Sequence, residues 1–171
     1  WDSHRDMILR TRILNDTYFS LEEMGSFTSK TSLERETVYN QGYAFVIYLA
    51  NRFGDDVLRE ISEALGTKGV YRVSEAIEIA TGIDGYQVFD DWIAERKEFY
   101  ANSTEDIIPT KADTVEPFGF FNFYPKLSPD QSKLAYLSNK FFDFGLLSLY
   151  LVDANGDSTE IAVVDDLGFQ E

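Results

Sequence analysis

At Pro117 the apolar residues of this chain change their period, and that change limits its possible folds more than any motif does. Ahead of it they recur every three to four positions, the spacing of a helix with one buried face. Asp2 or Ser3 can cap a first helix that carries Met7, Ile8, Leu9, Ile13 and Leu14. Ser20 and Glu23 form a capping-box pair around the short turn Leu21-Glu22-Glu23-Met24. A long helix is expected over 32–53, stopped by Gly54. Asp55 opens the next, with Val57, Leu58, Ile61 and Leu65 on one face and Gly66 at its end. The spacing then predicts a helix over 70–81, closed by Gly82, and another over 86–101 that buries Val88, Phe89, Trp92, Ile93 and Phe99. Helices of such unequal length, cut apart by glycines, suit an orthogonal bundle better than a coiled coil.

After Pro117 the pattern is short aromatic and β-branched runs at 118–123, 134–138, 147–153 and 160–164, read as four strands. Ser128-Pro129-Asp130 and Ala154-Asn155-Gly156-Asp157 supply turns, the second with the Asn-Gly hairpin signal. The expected class is therefore α+β: an all-α bundle over 1–103, a linker over 104–117, and a four-stranded antiparallel meander over 118–171. Gly119-Phe120 recurs as Gly168-Phe169, a spacing that suits the blade of a β-propeller.

Charge narrows the function classes. The chain carries 30 acidic and 15 basic residues, a net charge of −15. Residues 104–171 hold 12 of the acidic groups and only 4 basic ones, all lysines. Such a surface repels phosphate backbones and anionic lipid heads, which argues against nucleic acid as a partner. The longest apolar run, Tyr43 to Ala50, is far shorter than the roughly 20 residues of a membrane span. The chain has no cysteine and one histidine, His4, so neither a thiolate metal site nor a histidine-based triad can be assembled within it. Asp153-Ala154-Asn155-Gly156-Asp157 opens like a calcium loop, but strands flank it and a hairpin turn accounts for it. Asp90-Asp91 and Asp165-Asp166 read as solvated charges.

The run Val38-Tyr39-Asn40-Gln41-Gly42-Tyr43-Ala44-Phe45-Val46-Ile47-Tyr48-Leu49 is less easily explained. On a helical wheel Val38, Gly42, Phe45, Val46, Leu49 and Phe53 share a stripe about 100° wide, an ordinary core face. Tyr39 falls at its edge, where a ring can be partly buried with its hydroxyl in a cleft. Gly42 costs about 1 kcal/mol of helix propensity against Ala, offset only if another backbone or a substrate comes close. The run resembles the Tyr-x-Lys-Gly-x-x-hydrophobic-hydrophobic-x-x-Leu helix of gluzincin zinc peptidases of the aminopeptidase and leukotriene-hydrolase type, with Gln41 in place of the lysine. The resemblance implies that Tyr39 donates its hydroxyl to a developing oxyanion and that Gly42 admits a peptide substrate. The family's His-Glu-x-x-His and distal glutamate are absent from 1–171, so zinc is expected only in a longer parent, upstream of Trp1.

Residues 124–138 and 149–156 (YPKLSPDQSKLAYLS and LYLVDANG) in turn resemble the repeat of TolB-like propellers, with Gln131 where the repeat has glycine. Together the two resemblances imply a piece of a bacterial envelope protein, periplasmic or outer-membrane associated: the C-terminal helical part of a zinc peptidase domain followed by a first propeller blade. The alternative is a module without enzymatic activity, a degenerate peptidase fold and a propeller that bind a protein partner. Nothing in the residues sets an oligomeric state.

Overall fold

A computed structural model describes residues 3–108, 110–141, 146–153 and 156–163. Six helices precede four strands: α1 Ser3–Leu14, α2 Leu21–Met24, α3 Ser32–Phe53, α4 Val57–Leu65, α5 Val73–Thr81, α6 Gly85–Thr104, then β1 Asn122–Leu127, β2 Lys133–Ser138, β3 Ser148–Asp153 and β4 Ser158–Val163. The class is α+β, and the sheet is an antiparallel meander of order β1-β2-β3-β4. Two compact units result, a helical one that takes in Glu34–Ile108 and one built around the strands.

The helical unit closes on one aromatic centre. Phe45 from α3 meets Phe89 and Trp92 from α6 with ring centroids 5.2 Å apart in both cases, and Phe89 and Trp92 are 5.4 Å apart. Leu9 and Ile13 from α1, Val57 and Ile61 from α4 and Ile77 from α5 complete the core. The expected capping box forms, with Ser20 Oγ accepting from Glu23 N–H and the Glu23 carboxylate accepting from Ser20 N–H. Helix α3 runs over the expected residues.

Other boundaries move, each for a local reason. Helix α4 starts at Val57, with Asp56 in the N-cap position pairing with Arg59 and making no side-chain cap hydrogen bond. Helix α5 starts at Val73, where the Glu75 carboxylate accepts from the N–H groups of Tyr71 and Arg72. Helix α6 runs on to Thr104, whose hydroxyl donates to the Tyr100 carbonyl. Several side chains expected inside lie at the surface, Met7 and Val46 among them: Leu65 gives way to Ala64, and Phe99, 53% exposed, gives way to the buried Tyr100.

In the sheet unit, Tyr136 and Tyr150 pair across β2 and β3 with stacked rings 5.7 Å apart. The first strand begins later than its aromatic run suggests. Gly119 turns the chain at φ +86, and the N–H groups of Phe120 and Phe121 both donate to Asn139 Oδ1 instead of to a neighbouring strand. The ladder therefore starts at Asn122, and its register shifts between Phe123 and Lys126, where Tyr124 has φ +54 ahead of Pro125. Strand β4 is described from Ser158, two residues ahead of the expected Glu160. Gly168-Phe169 and Asp165-Asp166 lie outside the described residues.

The Ser128-Pro129-Asp130 turn forms as read. Ser128 Oγ and the N–H and Oγ of Ser132 all donate to the Asp130 carboxylate, which pulls its pKa down to about 2. Gln131 follows at φ +59, the left-handed region that costs a side chain with a Cβ about 1–2 kcal/mol. Gln131→Gly is expected to raise stability by about 0.5–1 kcal/mol after the added entropy of the unfolded chain is subtracted. A higher urea midpoint with an unchanged slope would show it; a lower midpoint would mean that the Gln131 side chain holds the turn.

Candidate functional site

Helix α3 presents Tyr39 outward. Its side chain is 65% exposed, and its ring leans on Phe27 with centroids 5.5 Å apart. One turn later, a Cβ added at Gly42 would meet nothing within 4 Å. No backbone among the described residues comes close there, so Gly42 leaves a notch beside Tyr39 that their packing does not require. The buried stripe of α3 is rotated from the expected one. Val46 is exposed, whereas Gln41 is fully buried together with Thr37, Val38, Asn40, Phe45, Tyr48 and Leu49. Gln41 is accommodated because its amide clasps a backbone: Phe19 N–H donates to Oε1 at 3.0 Å, and Nε2 donates to the Phe19 carbonyl. Both ends are satisfied, so an amide can occupy a core position.

A cleft of about 790 Å³ opens between α1, α3 and α6. Leu9, Tyr43, Ala44, Ile47, Tyr48, Trp92, Phe99 and Tyr100 form its apolar wall, with Asp6, Asn51, Arg52, Glu95 and Arg96 among them. Tyr39 is not part of this lining. Most of the charges are already paired. Arg52 donates to the Tyr48 hydroxyl and, at 2.9 Å, to Asp91, which also accepts from Gln87 Nε2 at 2.7 Å. The Gln87 and Arg52 hydrogen bonds hold the Asp91 carboxyl below its usual range, so Asp91 is a positioned partner and not the solvated charge its sequence context suggested. Tyr100 donates to Asp6 at 2.8 Å, and burial, with that bond, pushes its phenol pKa up. Arg96 Nη2 donates to Glu95 at 2.8 Å with its guanidinium over the Phe99 ring, while its buried Nε–H has no acceptor among the described residues.

Sequence reasoning reached Tyr39 and Gly42 but not this cleft. Tyr48–Arg52 and Arg96–Tyr100, each four apart on a helix, carry a faint signal. Arg52–Asp91 carries none, since 39 residues separate them. Among the described residues no group of three or more His, Cys, Asp or Glu is placed to hold a metal ion, so the residues present do not fit a zinc site. At the suspected calcium loop, Ala154 and Asn155 lie outside the described residues. The rest closes as a turn, with Gly156 N–H donating to the Asp153 carbonyl and Asp153 N–H to that of Asp157. No helix among the described residues is long and apolar enough to cross a membrane. Comparison with family models, curated proteins and solved structures yields no match.

Proposed function

We propose that this chain is part of a gluzincin-like zinc peptidase domain joined to a TolB-like propeller in a bacterial envelope protein, periplasmic or associated with the outer membrane. One observation carries the reading: the motif tyrosine, Tyr39, stands on an exposed face of α3 beside the open notch of Gly42. Tyr39 is not one of the core tyrosines, in contrast to the buried Tyr48 of the same helix. Tyr39 instead offers its hydroxyl to a peptide carbonyl as charge develops on the oxygen. The zinc ligands and general base would come from residues outside 1–171, so the chain alone is expected to be inactive. The four-stranded meander supports the propeller half, since Tyr124, Leu127 and Ile161 are exposed apolar side chains that a neighbouring blade would cover. A second reading, a protein-binding module without catalysis, is favoured by the cleft, since no group of three or more His, Cys, Asp or Glu among the described residues is placed to hold a metal there.

The test is made in the longer parent protein. Tyr39→Phe is expected to lower peptide turnover about 100-fold, the usual effect of removing an oxyanion donor. Its melting temperature should be unchanged, because the lost hydroxyl lies at an exposed site. Equal turnover would remove Tyr39 from the mechanism. Absence of His-Glu-x-x-His ahead of Trp1 would favour the binding module.

A further inference from the structure

Helix α3 turns an uncharged side to water. From Thr37 to Asn51 it has no charged residue, in a chain with a net charge of −15. Tyr39, Tyr43, Val46 and Ile47, three or four apart, stand on its exposed side. The strip extends at both ends: Tyr39 meets Phe27, and Ile47 shares the mouth of the cleft with Phe99 of α6. All six of these side chains are between 39% and 65% exposed. Together they leave roughly 600 Å² in water, the size of the largest apolar patch on a typical monomer. The charges nearest the strip are paired within the chain, Arg5 with Glu36, Arg52 with Asp91 and Arg96 with Glu95. Its rim therefore holds no excess of either sign to select an oppositely charged partner.

The strip is complementary to itself. Tyr39 is a projecting ring, the cleft beside Ile47 is an open hollow, and about 12 Å of one helix separates them. A two-fold axis level with Tyr43 and perpendicular to α3 sets two α3 helices antiparallel. It places each Tyr39 on the second copy's Ile47, at the cleft mouth. Gly42 then lies beside Gly42 of the second copy, and the open notch lets the helices approach closely. Along that contact Glu36 falls opposite Ala50 and Arg35 opposite Asn51, whereas a parallel pair would set like charges side by side. The contact uses only the exposed Tyr43, Ile47 and Phe99 of the mouth and not the buried floor of the cleft. Covering the strip on both copies removes about 1,200 Å² from water, the lower edge of a stable interface.

We infer that two copies of this chain pair through α3, each Tyr39 seated in the mouth of the other's cleft. The pairing does not rest on the peptidase reading; under that reading it withholds Tyr39 from substrate.

The test is sedimentation equilibrium of the 171-residue chain from about 1 to 200 µM. The mass should rise from 19.6 kDa to twice that, with a Kd of about 10 µM at about 0.15 M salt. Raising the salt to about 0.5 M should tighten the pair at least about twofold, because it screens the repulsion between two acidic chains. Tyr39→Ala, Ile47→Glu and Gly42→Leu, which fills the notch, should each weaken it at least about tenfold. None should lower the melting temperature of the dilute monomer by more than about 3 °C, since all three positions lie at the surface. Tyr39→Phe keeps the ring and should leave the Kd within about twofold, while the peptidase reading expects its turnover to fall, so the two readings fail separately. The chain lacks cysteine, so Tyr43→Cys places a single thiol near the axis. Oxidation should link it into pairs at least about tenfold faster than Tyr71→Cys, an exposed site off the strip. A monomer at every concentration overturns the proposal and leaves the strip to residues outside 1–171 or to another protein. Association that weakens with salt, that ignores any of the three disruptive variants, or that links Tyr43→Cys no faster than Tyr71→Cys overturns it too.

Discussion

Gly85→Ala should destabilise the helical unit by about 3 kcal/mol, while Gly42→Ala should stabilise it by about 0.5–1 kcal/mol. Gly85 is the first residue of α6 and is buried. A Cβ there would sit 2.3 Å from the Ser74 carbonyl oxygen and 2.5 Å from its Cα. These are backbone atoms at the start of α5, so no rotamer change relieves the overlap and the two helix starts must separate. The separation would loosen Ile77 against Val88 and Phe89, which are buried in the same core. Gly42 is the reverse case: its Cβ direction is open, and alanine restores helix propensity at no steric cost. Urea unfolding of both variants, followed by Trp fluorescence, measures the pair. Gly85→Ala within 1 kcal/mol of wild type would mean that the α5–α6 contact is loose. A destabilised Gly42→Ala would mean that something within the chain packs on the notch. If Gly42→Ala is stable but lowers peptide turnover in the parent, the glycine is retained for the substrate.

The two glycines also show where sequence reasoning stops. Glycine in a helix signals close approach, but a single chain does not say which glycine is approached. The period of the apolar residues located five of the ten described elements closely, because periodicity reports a face, and a face is a local property. It misplaced the stripe on α3, since Gln41 counts as polar although its amide is fully bonded to Phe19, 22 residues away. It began the first strand too early, since Asn139 takes the N–H groups of Phe120 and Phe121 from 19 and 18 residues away. The Ser128-Pro129-Asp130 turn was legible because all its hydrogen bonds close within five residues. Tyr39 was found through a motif, while the cleft, assembled from three helices, leaves only the faint four-residue spacings Tyr48–Arg52 and Arg96–Tyr100 within any one of them.

Lys140→Met should destabilise the sheet unit by about 3–5 kcal/mol at neutral pH, the range for breaking one partner out of a buried ion pair. Lys140 and Glu116 have side chains only 4% and 10% exposed. The Lys140 ammonium donates to the Glu116 carboxylate and, at 2.8 Å, to the Tyr136 hydroxyl, and lies 4.1 Å from the Tyr150 ring centroid. Glu116 also accepts from the Tyr136 hydroxyl at 2.6 Å and from Phe118 N–H at 2.9 Å. Burial alone would raise the Glu116 pKa, but hydrogen bonds from Lys140, Tyr136 and Phe118 and the ammonium's charge outweigh it and hold the carboxyl below its usual range. Burial would likewise lower Lys140, and the bonds to Glu116 and Tyr136 with the pair's attraction hold it above. Glu116 therefore contributes stability that is present above its unfolded pKa and lost as pH falls through the lower folded value. Lys140 contributes stability present below its unfolded pKa and lost as pH rises through the higher folded one. Wild type should show a plateau between about pH 5 and 10 with losses on both sides. With Lys140→Met the buried carboxylate is left without its cation, so the variant should regain ground relative to wild type as pH falls through about 5. Adding Glu116→Gln should recover part of the loss, because the stranded charge is gone. Urea unfolding of the full chain across pH, read by near-UV dichroism of the tyrosines, separates these outcomes. A loss below 1 kcal/mol for Lys140→Met, or a double variant worse than the single, would show that the ion pair is not what fastens Glu116 to the sheet.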